Sequence, residues 1–132
     1  MPFADVEKAI AAIGRGEIVV VVDDEDRENE GDLIMAAEAA TPEAIAFFLK
    51  HTSGLICVPM TGDRIDELDL PLMVAANTES QRTAFTISVD FRHGTTTGIS
   101  AFDRCRTVQV CADPASGPQD LVRDKGHMDG LI

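Results

Sequence analysis

Ile18-Val19-Val20-Val21-Val22-Asp23-Asp24-Glu25-Asp26-Arg27-Glu28-Asn29-Glu30-Gly31-Asp32-Leu33-Ile34-Met35 is the stretch that sets the fold. Seven carboxylates fall within the ten residues from Asp23 to Asp32, with Arg27 in their midst. The β-branched run before them and the apolar triplet after them predict two short buried strands. The acids between then form a loop held at a fixed point on a core. A solvated charge run belongs in a polar, low-complexity context, which these flanks do not provide. Crowded carboxylates repel, so the loop costs stability unless cations or hydrogen bonds offset the repulsion.

Outward from that loop, strands and helices mix without strict alternation. Phe3, Val6, Ile10 and Ile13 share one helical face over 3–13, and Gly14 and Gly16 end that helix before a strand at 18–22. A second strand covers 33–37. Thr41-Pro42-Glu43 has the chemistry of a helix start: a hydroxyl cap, a proline in the first turn and an acid at the positive end. A strand at 55–60 and a short helix at 61–68 follow. Residues 83–91 alternate, with Phe85, Ile87 and Val89 on one face and Thr86, Ser88 and Asp90 on the other, predicting a half-exposed antiparallel strand. Helix 100–112 opens with Ser100 and Asp103 spaced as a capping box. The tail, 123–132, ends on the apolar pair Leu131-Ile132 with no evident element to bury it, as though a last layer were missing. The expectation is an α+β fold, a mixed sheet layered with helices, forming one domain over 1–132.

Composition narrows the function. A formal charge of −12 argues against nonspecific nucleic-acid binding, which needs a basic surface. Local positive charge for an anionic metabolite is available from Arg27, Arg82, Arg92, Arg104 and Arg106. No apolar run nears the roughly 18 residues of a membrane span, and the N-terminus has no secretory pattern. Cys57, Cys105 and Cys111 lack CxxC spacing, which predicts buried reduced thiols and a cytoplasmic setting.

Oxygen-rich loops suit hard divalent cations. An EF-hand reading from Asp26 fails, because the twelfth position is Ala37 and the flanks are strands. In an extended segment Glu28, Glu30 and Asp32 share one face and Arg27 takes the other. Such neighbours raise one another's pKa, preparing a proton carrier beside a ligand, while Arg27 can clamp a phosphate or sugar oxygen. A solvated acidic turn remains the plain alternative. The loop Gly94-Thr95-Thr96-Thr97-Gly98 leads into a helix N-terminus, where amides and hydroxyls suit a phosphate; an ordinary helix cap is its alternative. Among the histidines, His51 reads as a helix-end cap and His93 as an exposed turn residue. His127, in the polar tail, has the catalytic setting.

The order of these segments resembles one family. The run from Asp23 to Asp32 is similar to the signature of the 3,4-dihydroxy-2-butanone 4-phosphate synthases of riboflavin biosynthesis. His51-Thr52-Ser53-Gly54-Leu55-Ile56-Cys57, Leu70-Pro71-Leu72-Met73-Val74 with Asn77-Thr78, and Thr83-Ala84-Phe85-Thr86 follow in family order. Gly94-Thr95-Thr96-Thr97-Gly98-Ile99-Ser100-Ala101 with Asp103-Arg104 completes the series. The resemblance implies a Mg2+-dependent lyase, with Mn2+ a possible substitute, that converts ribulose 5-phosphate to 3,4-dihydroxy-2-butanone 4-phosphate and formate by enediolate chemistry. It implies a homodimer with active sites at the subunit interface. It also implies Glu28 as metal ligand and substrate contact, Arg27 and Asp32 as substrate contacts, Glu30 and His127 as the acid/base set, and Thr96 and Thr97 beside the sugar phosphate.

The resemblance covers residues from about Val6 to about Asp120. Family members continue through an Arg-Pro-Gly-His segment, which Gly126-His127 matches with Lys125 at the proline, and then an Arg-x-x-Gly-His-Thr-Glu segment. That later segment supplies the second metal ligand, so weak or absent Mg2+ binding and turnover are expected of these 132 residues alone. Two other readings follow from the same residues: a non-catalytic binding or assembly module, and a relative acting on another phosphosugar.

Overall fold

The computed structural model describes residues 3–80, 82–123 and 128–131. Helix α1 (Val6–Gly14) starts where the Asp5 side chain accepts from the Glu7 amide. Strands β1 (Val19–Val22) and β2 (Gly31–Ile34) pair antiparallel, Val19 opposite Ile34 and Val22 opposite Gly31. The sequence predicts these strands as buried, and the structure corrects that. They form a two-stranded ribbon separate from the main sheet, and Val20 is 69% exposed. The α1 stripe is likewise uncovered, with Ile10 58% exposed. A β-branched run specifies an extended backbone; it does not specify which neighbour covers it.

Helix α2 (Pro42–His51) is capped as its sequence predicts, the Thr41 hydroxyl accepting from the Ala44 amide at 3.1 Å. Strand β3 (Cys57–Pro59), helix α3 (Gly62–Glu67), strand β4 (Phe85–Phe91) and helix α4 (Ala101–Ala112) follow in order. Strands β5 (Leu121–Val122) and β6 (Met128–Leu131) close the described chain. The main sheet runs β3-β6-β4-β5. Strand β6 lies parallel to β3 and antiparallel to β4, and β5 is antiparallel to β4, so the sheet is mixed as expected. The tail is therefore not idle: Met128–Leu131 enters as an inner strand.

Two apolar clusters hold the layers together. Ile45 of α2, Val58 of β3, and Cys105, Val108 and Cys111 of α4 pack with Ala40 and Ile56. Ile65 of α3, Val89 of β4 and Leu121 of β5 pack with Leu68 and Leu70, and Met60 borders both groups. Burial of this apolar surface is the main favourable term in the fold. The cysteines are not disulfide-bonded among the described residues, and burial pushes the Cys111 thiol up to about 11.

Strand β4 departs from its predicted half-exposed form. Thr86 and Asp90, on its polar face, are as completely buried as Val89 on the apolar one. The Thr86 hydroxyl donates to the Ile87 carbonyl, and the Phe91 amide donates to the Thr107 hydroxyl of α4. Polar alternation normally marks a wet face, but here α4 and the loop before it cover that face.

The far end of α4 is secured by Arg64 of α3. Its guanidinium donates to the carbonyls of Cys111, Asp113 and Ser116 and to the Ser116 hydroxyl. A cation at the carbonyl end of a helix satisfies groups that the helix itself leaves unpaired.

Candidate active site

The acidic loop is a built turn rather than an extended segment. Residues 25–28 turn, the Arg27 amide donates to the Asp24 carbonyl at 3.0 Å, and Asn29 takes the left-handed conformation at φ 51°. This corrects the expected alternation of Glu28, Glu30 and Asp32 along one strand. Only Asp32 is in β2, opposite Val21.

Asp23 organises the turn. Its two carboxylate oxygens accept from the Glu28 amide at 3.0 Å and the Glu30 amide at 2.8 Å, while its own amide donates to the Glu30 carbonyl. The Glu30 amide leads the donors that, with the Glu28 amide and Arg27, hold the Asp23 carboxyl below its ordinary value despite partial desolvation. Arg27 stands 3.9 Å from that carboxylate, with its side chain 55% exposed. The side chains of Glu28, Glu30 and Asp32 make no hydrogen bond or ion pair among the described residues. One acid therefore serves as scaffold, and these three carboxylates keep no partner among the described residues.

Glu28 lines a groove of about 360 Å³ with Met73, Val74, Asn77, Thr83 and Phe85. The groove wall is itself cross-braced. The Asn77 amide group donates to the Thr83 carbonyl and accepts from the Glu79 amide, and the Thr83 amide donates to the Glu79 carboxylate. The sequence reading set Asn77 within a matching segment but gave no reason to put it beside Glu28.

The threonine loop is built on the same plan from the opposite direction. Asp103, 2% exposed in the first turn of α4, accepts on one oxygen from the Thr96 amide, the Thr96 hydroxyl and the Gly98 amide. Ser100 caps the helix by accepting from the Asp103 amide, so the expected pairing of these residues is present on that side. Burial pushes the Asp103 carboxyl up, but the donors from Thr96, Gly98 and Ser100 outweigh it and leave the group below its ordinary value. The Thr95 hydroxyl donates to the Phe91 carbonyl. Thr97 is exposed, and neither its amide nor its hydroxyl has a partner among the described residues.

The two loops attach at opposite ends of β4. The Glu28 groove borders Thr83 and Phe85 at the start of β4, and the threonine loop hangs from Phe91 at its end. Six residue steps at about 3.3 Å separate those ends by about 20 Å. Of the other candidates, His127 lies outside the described residues. His51 sits on the last turn of α2 against Phe47, and His93 stands 3.4 Å from Asp120. Arg104 is committed to the Ile99 and Gly54 carbonyls, and Arg106 lies over the Phe91 ring. Asp23 had no individual role in the sequence, and Asp103 only that of a helix cap; each proves to organise a loop.

Comparison with known proteins identifies the family. Residues 7–132 match the family described as 3,4-dihydroxy-2-butanone 4-phosphate synthase. The chain is 58% identical over 128 residues to the 3,4-dihydroxy-2-butanone 4-phosphate synthase of Agrobacterium fabrum, covering 97% of this chain and 60% of that one. It is 56% identical over 126 residues to the riboflavin biosynthesis protein RibBA of Rhodococcus jostii, covering 96% of this chain and 30% of that longer protein. The chain thus spans about 60% or less of these relatives' lengths. A crystal structure of a 3,4-dihydroxy-2-butanone 4-phosphate synthase in complex with two magnesium ions superposes with a TM-score of 0.95 at 48% identity, over 98% of this chain and 60% of the other.

Proposed function

This chain belongs to the 3,4-dihydroxy-2-butanone 4-phosphate synthase family, and from that membership we propose that it serves riboflavin biosynthesis by converting ribulose 5-phosphate to 3,4-dihydroxy-2-butanone 4-phosphate and formate. The observation that carries the reading is the acidic loop. Asp23 fixes its backbone, Glu28, Glu30 and Asp32 keep carboxylates unpartnered among the described residues, and Glu28 lines a groove of ligand size.

Mg2+ is the implied cofactor, and the residues fit it in kind. The ion is held through one or two carboxylates together with water and substrate oxygens, and Glu28 is a partnerless carboxylate on a braced loop. Among the described residues no three His, Cys, Asp or Glu side chains converge as a closed metal cage, which agrees with such an open mode. When bound, Mg2+ polarises substrate oxygens and eases loss of the proton next to the carbonyl. Glu30 is suited to take that proton and return it, since an acid/base residue must have a free lone pair within reach of substrate. Asp32 accepts from a sugar hydroxyl, and Arg27 steadies an anionic oxygen. Thr96 and Thr97 contact the sugar phosphate.

A homodimer completes the site in this reading. The two loops attach about 20 Å apart along β4, which leaves room for a second copy to contribute to the site. The exposed apolar residues of α1 and the ribbon support association, since large uncovered patches mark interaction surfaces.

Formate release from ribulose 5-phosphate in Mg2+ tests the function. Release that disappears in Glu28→Gln is the expected result; release unaffected by that change sinks the assignment. Binding without formate would favour the non-catalytic module. Mixing Glu28→Gln chains with Thr97→Val chains tests the shared site, because a mixed dimer regains one intact site and neither parent variant does.

A further inference from the structure

The groove beside Glu28 offers a ligand one carboxylate and an apolar wall. Of its two carboxylates, that of Glu79 is engaged by the Thr83 amide at 3.2 Å and the Ser80 hydroxyl at 3.1 Å. Asn77 is committed on both sides, its amide group donating to the Thr83 carbonyl and accepting from the Glu79 amide. Glu28 keeps a carboxylate without a partner among the described residues. The apolar lining is Met73, Val74 and Phe85.

Backbone pairing puts that lining in place. The Met73 amide donates to the Phe85 carbonyl at 2.9 Å and the Ile87 amide to the Pro71 carbonyl at 3.0 Å, with Leu72 opposite Thr86. Side chains alternate along extended segments, so Met73 and Phe85 fall together on the face away from Thr86. Thr86 is fully buried, whereas Met73 and Val74 are 50% and 51% exposed. Ligand pockets combine apolar walls with a few placed polar groups, and this groove has that make-up. Such a wall has nothing to offer a hydroxyl, which would lose its water there without a replacement partner.

Ribulose 5-phosphate and the four-carbon product differ at the terminal carbon beside the ketone. That carbon, C1, bears a hydroxyl in the substrate, and its counterpart in the product is a methyl. We infer that Met73, Val74 and Phe85 form a specificity wall that receives the C1 end of the sugar phosphate and favours it as a methyl over a hydroxymethyl. The inference rests on the proposed conversion of ribulose 5-phosphate, and it deepens that reading by naming the residues that recognise the deoxygenated carbon. Contacts that strengthen as a reaction proceeds are the ones that speed it. The three side chains act by contact alone, and no bond changes at them.

Calorimetric titration of the 132-residue chain in Mg2+ with ribulose 5-phosphate and with 1-deoxyribulose 5-phosphate tests it, since the two differ only in the C1 hydroxyl. A Glu30→Gln background keeps proton transfer from consuming the ligand. The deoxy compound should bind about tenfold more tightly. Met73→Gln and Val74→Thr keep the side chain's shape and add polar atoms. Each should lower the preference about fourfold, the worth of one buried methylene group, by weakening the deoxy compound alone. A preference lowered in either variant, with the urea midpoint of the parent, upholds the wall at that residue. If Met73→Gln does not fold, Val74→Thr decides. Equal binding of the two ligands by the parent overturns the inference, and so does a preference unchanged in the folded variants. Weakening of both ligands alike makes these residues general contacts and overturns it too. Binding of neither ligand by the parent removes the sugar-phosphate reading itself, and this inference with it, a result distinct from equal binding of both.

Discussion

Substituting the two glycines of the threonine loop separates backbone conformation from crowding. Gly94 and Gly98 have nearly the same left-handed backbone, φ 78° and 86°. A Cβ at Gly94 meets nothing within 4 Å, whereas one at Gly98 lies 2.6 Å from the Asp90 Cγ and 2.7 Å from each carboxylate oxygen. Alanine at either site incurs the left-handed cost of about 1 kcal/mol. Only Gly98→Ala adds steric overlap, for which about 2 kcal/mol is typical of an overfilled interior. Asp90 is fully buried, so its carboxylate has no open space into which to swing. The expected losses are about 1 kcal/mol for Gly94→Ala and about 3 kcal/mol for Gly98→Ala. Urea denaturation reads both as midpoint shifts at constant slope. In an Asp90→Ala background the Gly98→Ala penalty should fall by about 1–2 kcal/mol, because the overlapping atoms are gone. Equal losses at the two glycines, or no coupling to Asp90, would refute the crowding of Gly98 by Asp90.

Other expectations follow from single groups. Arg64→Met keeps the aliphatic stem but removes the donors to Asp113, Ser116 and Cys111, at 2.7, 2.6 and 3.2 Å. At about 1 kcal/mol per lost bond the unfolding free energy should drop by about 3 kcal/mol, with Arg64→Lys recovering only part because an ammonium lacks the planar fork. Acid should act through Asp103: its folded pKa lies below its unfolded value, so its contribution is complete above the unfolded carboxylate range and disappears as pH falls through the depressed value. In Asp103→Asn that acid loss should be flatter in denaturant titrations run at successive pH values. Alkali acts oppositely at Cys111, whose folded value is pushed up to about 11 by burial. Its contribution is present below the ordinary thiol value and is lost as pH rises towards about 11, so Cys111→Ala should flatten that limb.

Much of the fold is legible in the sequence where the governing chemistry is local. Thr41 and Ser100 cap their helices because a hydroxyl three residues before an amide can accept from it, and that relation is visible in the residue order. Strand β6 is not legible in this way. Met128-Asp129-Gly130-Leu131 has no β-branched residue, and it becomes a strand through backbone bonds to β3 and β4, which lie far away in the chain. Burial of Asp90 was hidden for a similar reason, since the loop before α4 packs against it from a later part of the sequence. The acidic loop divides the same way. Composition counts its carboxylates alike, whereas the fold distinguishes Asp23, which accepts from amides five and seven residues onward, from Glu28, Glu30 and Asp32. Asp103 reads as half of a capping box, and its chief partners prove to be Thr96 and Gly98.

Strand β1 consists of four valines. Sliding it one place past β2 would still set a valine opposite three of its four partners, so its side chains carry little record of alignment. In most sheets the apolar pattern supplies that record. Here it falls to the turn: Asn29 in its left-handed conformation, and Asp23 closed on Glu28 and Glu30. A slip there would send the Asp32 side chain to the opposite face of the ribbon. The acidic tip is thus the ribbon's reading frame, and an error in it would misplace carboxylates that the substitution never touched.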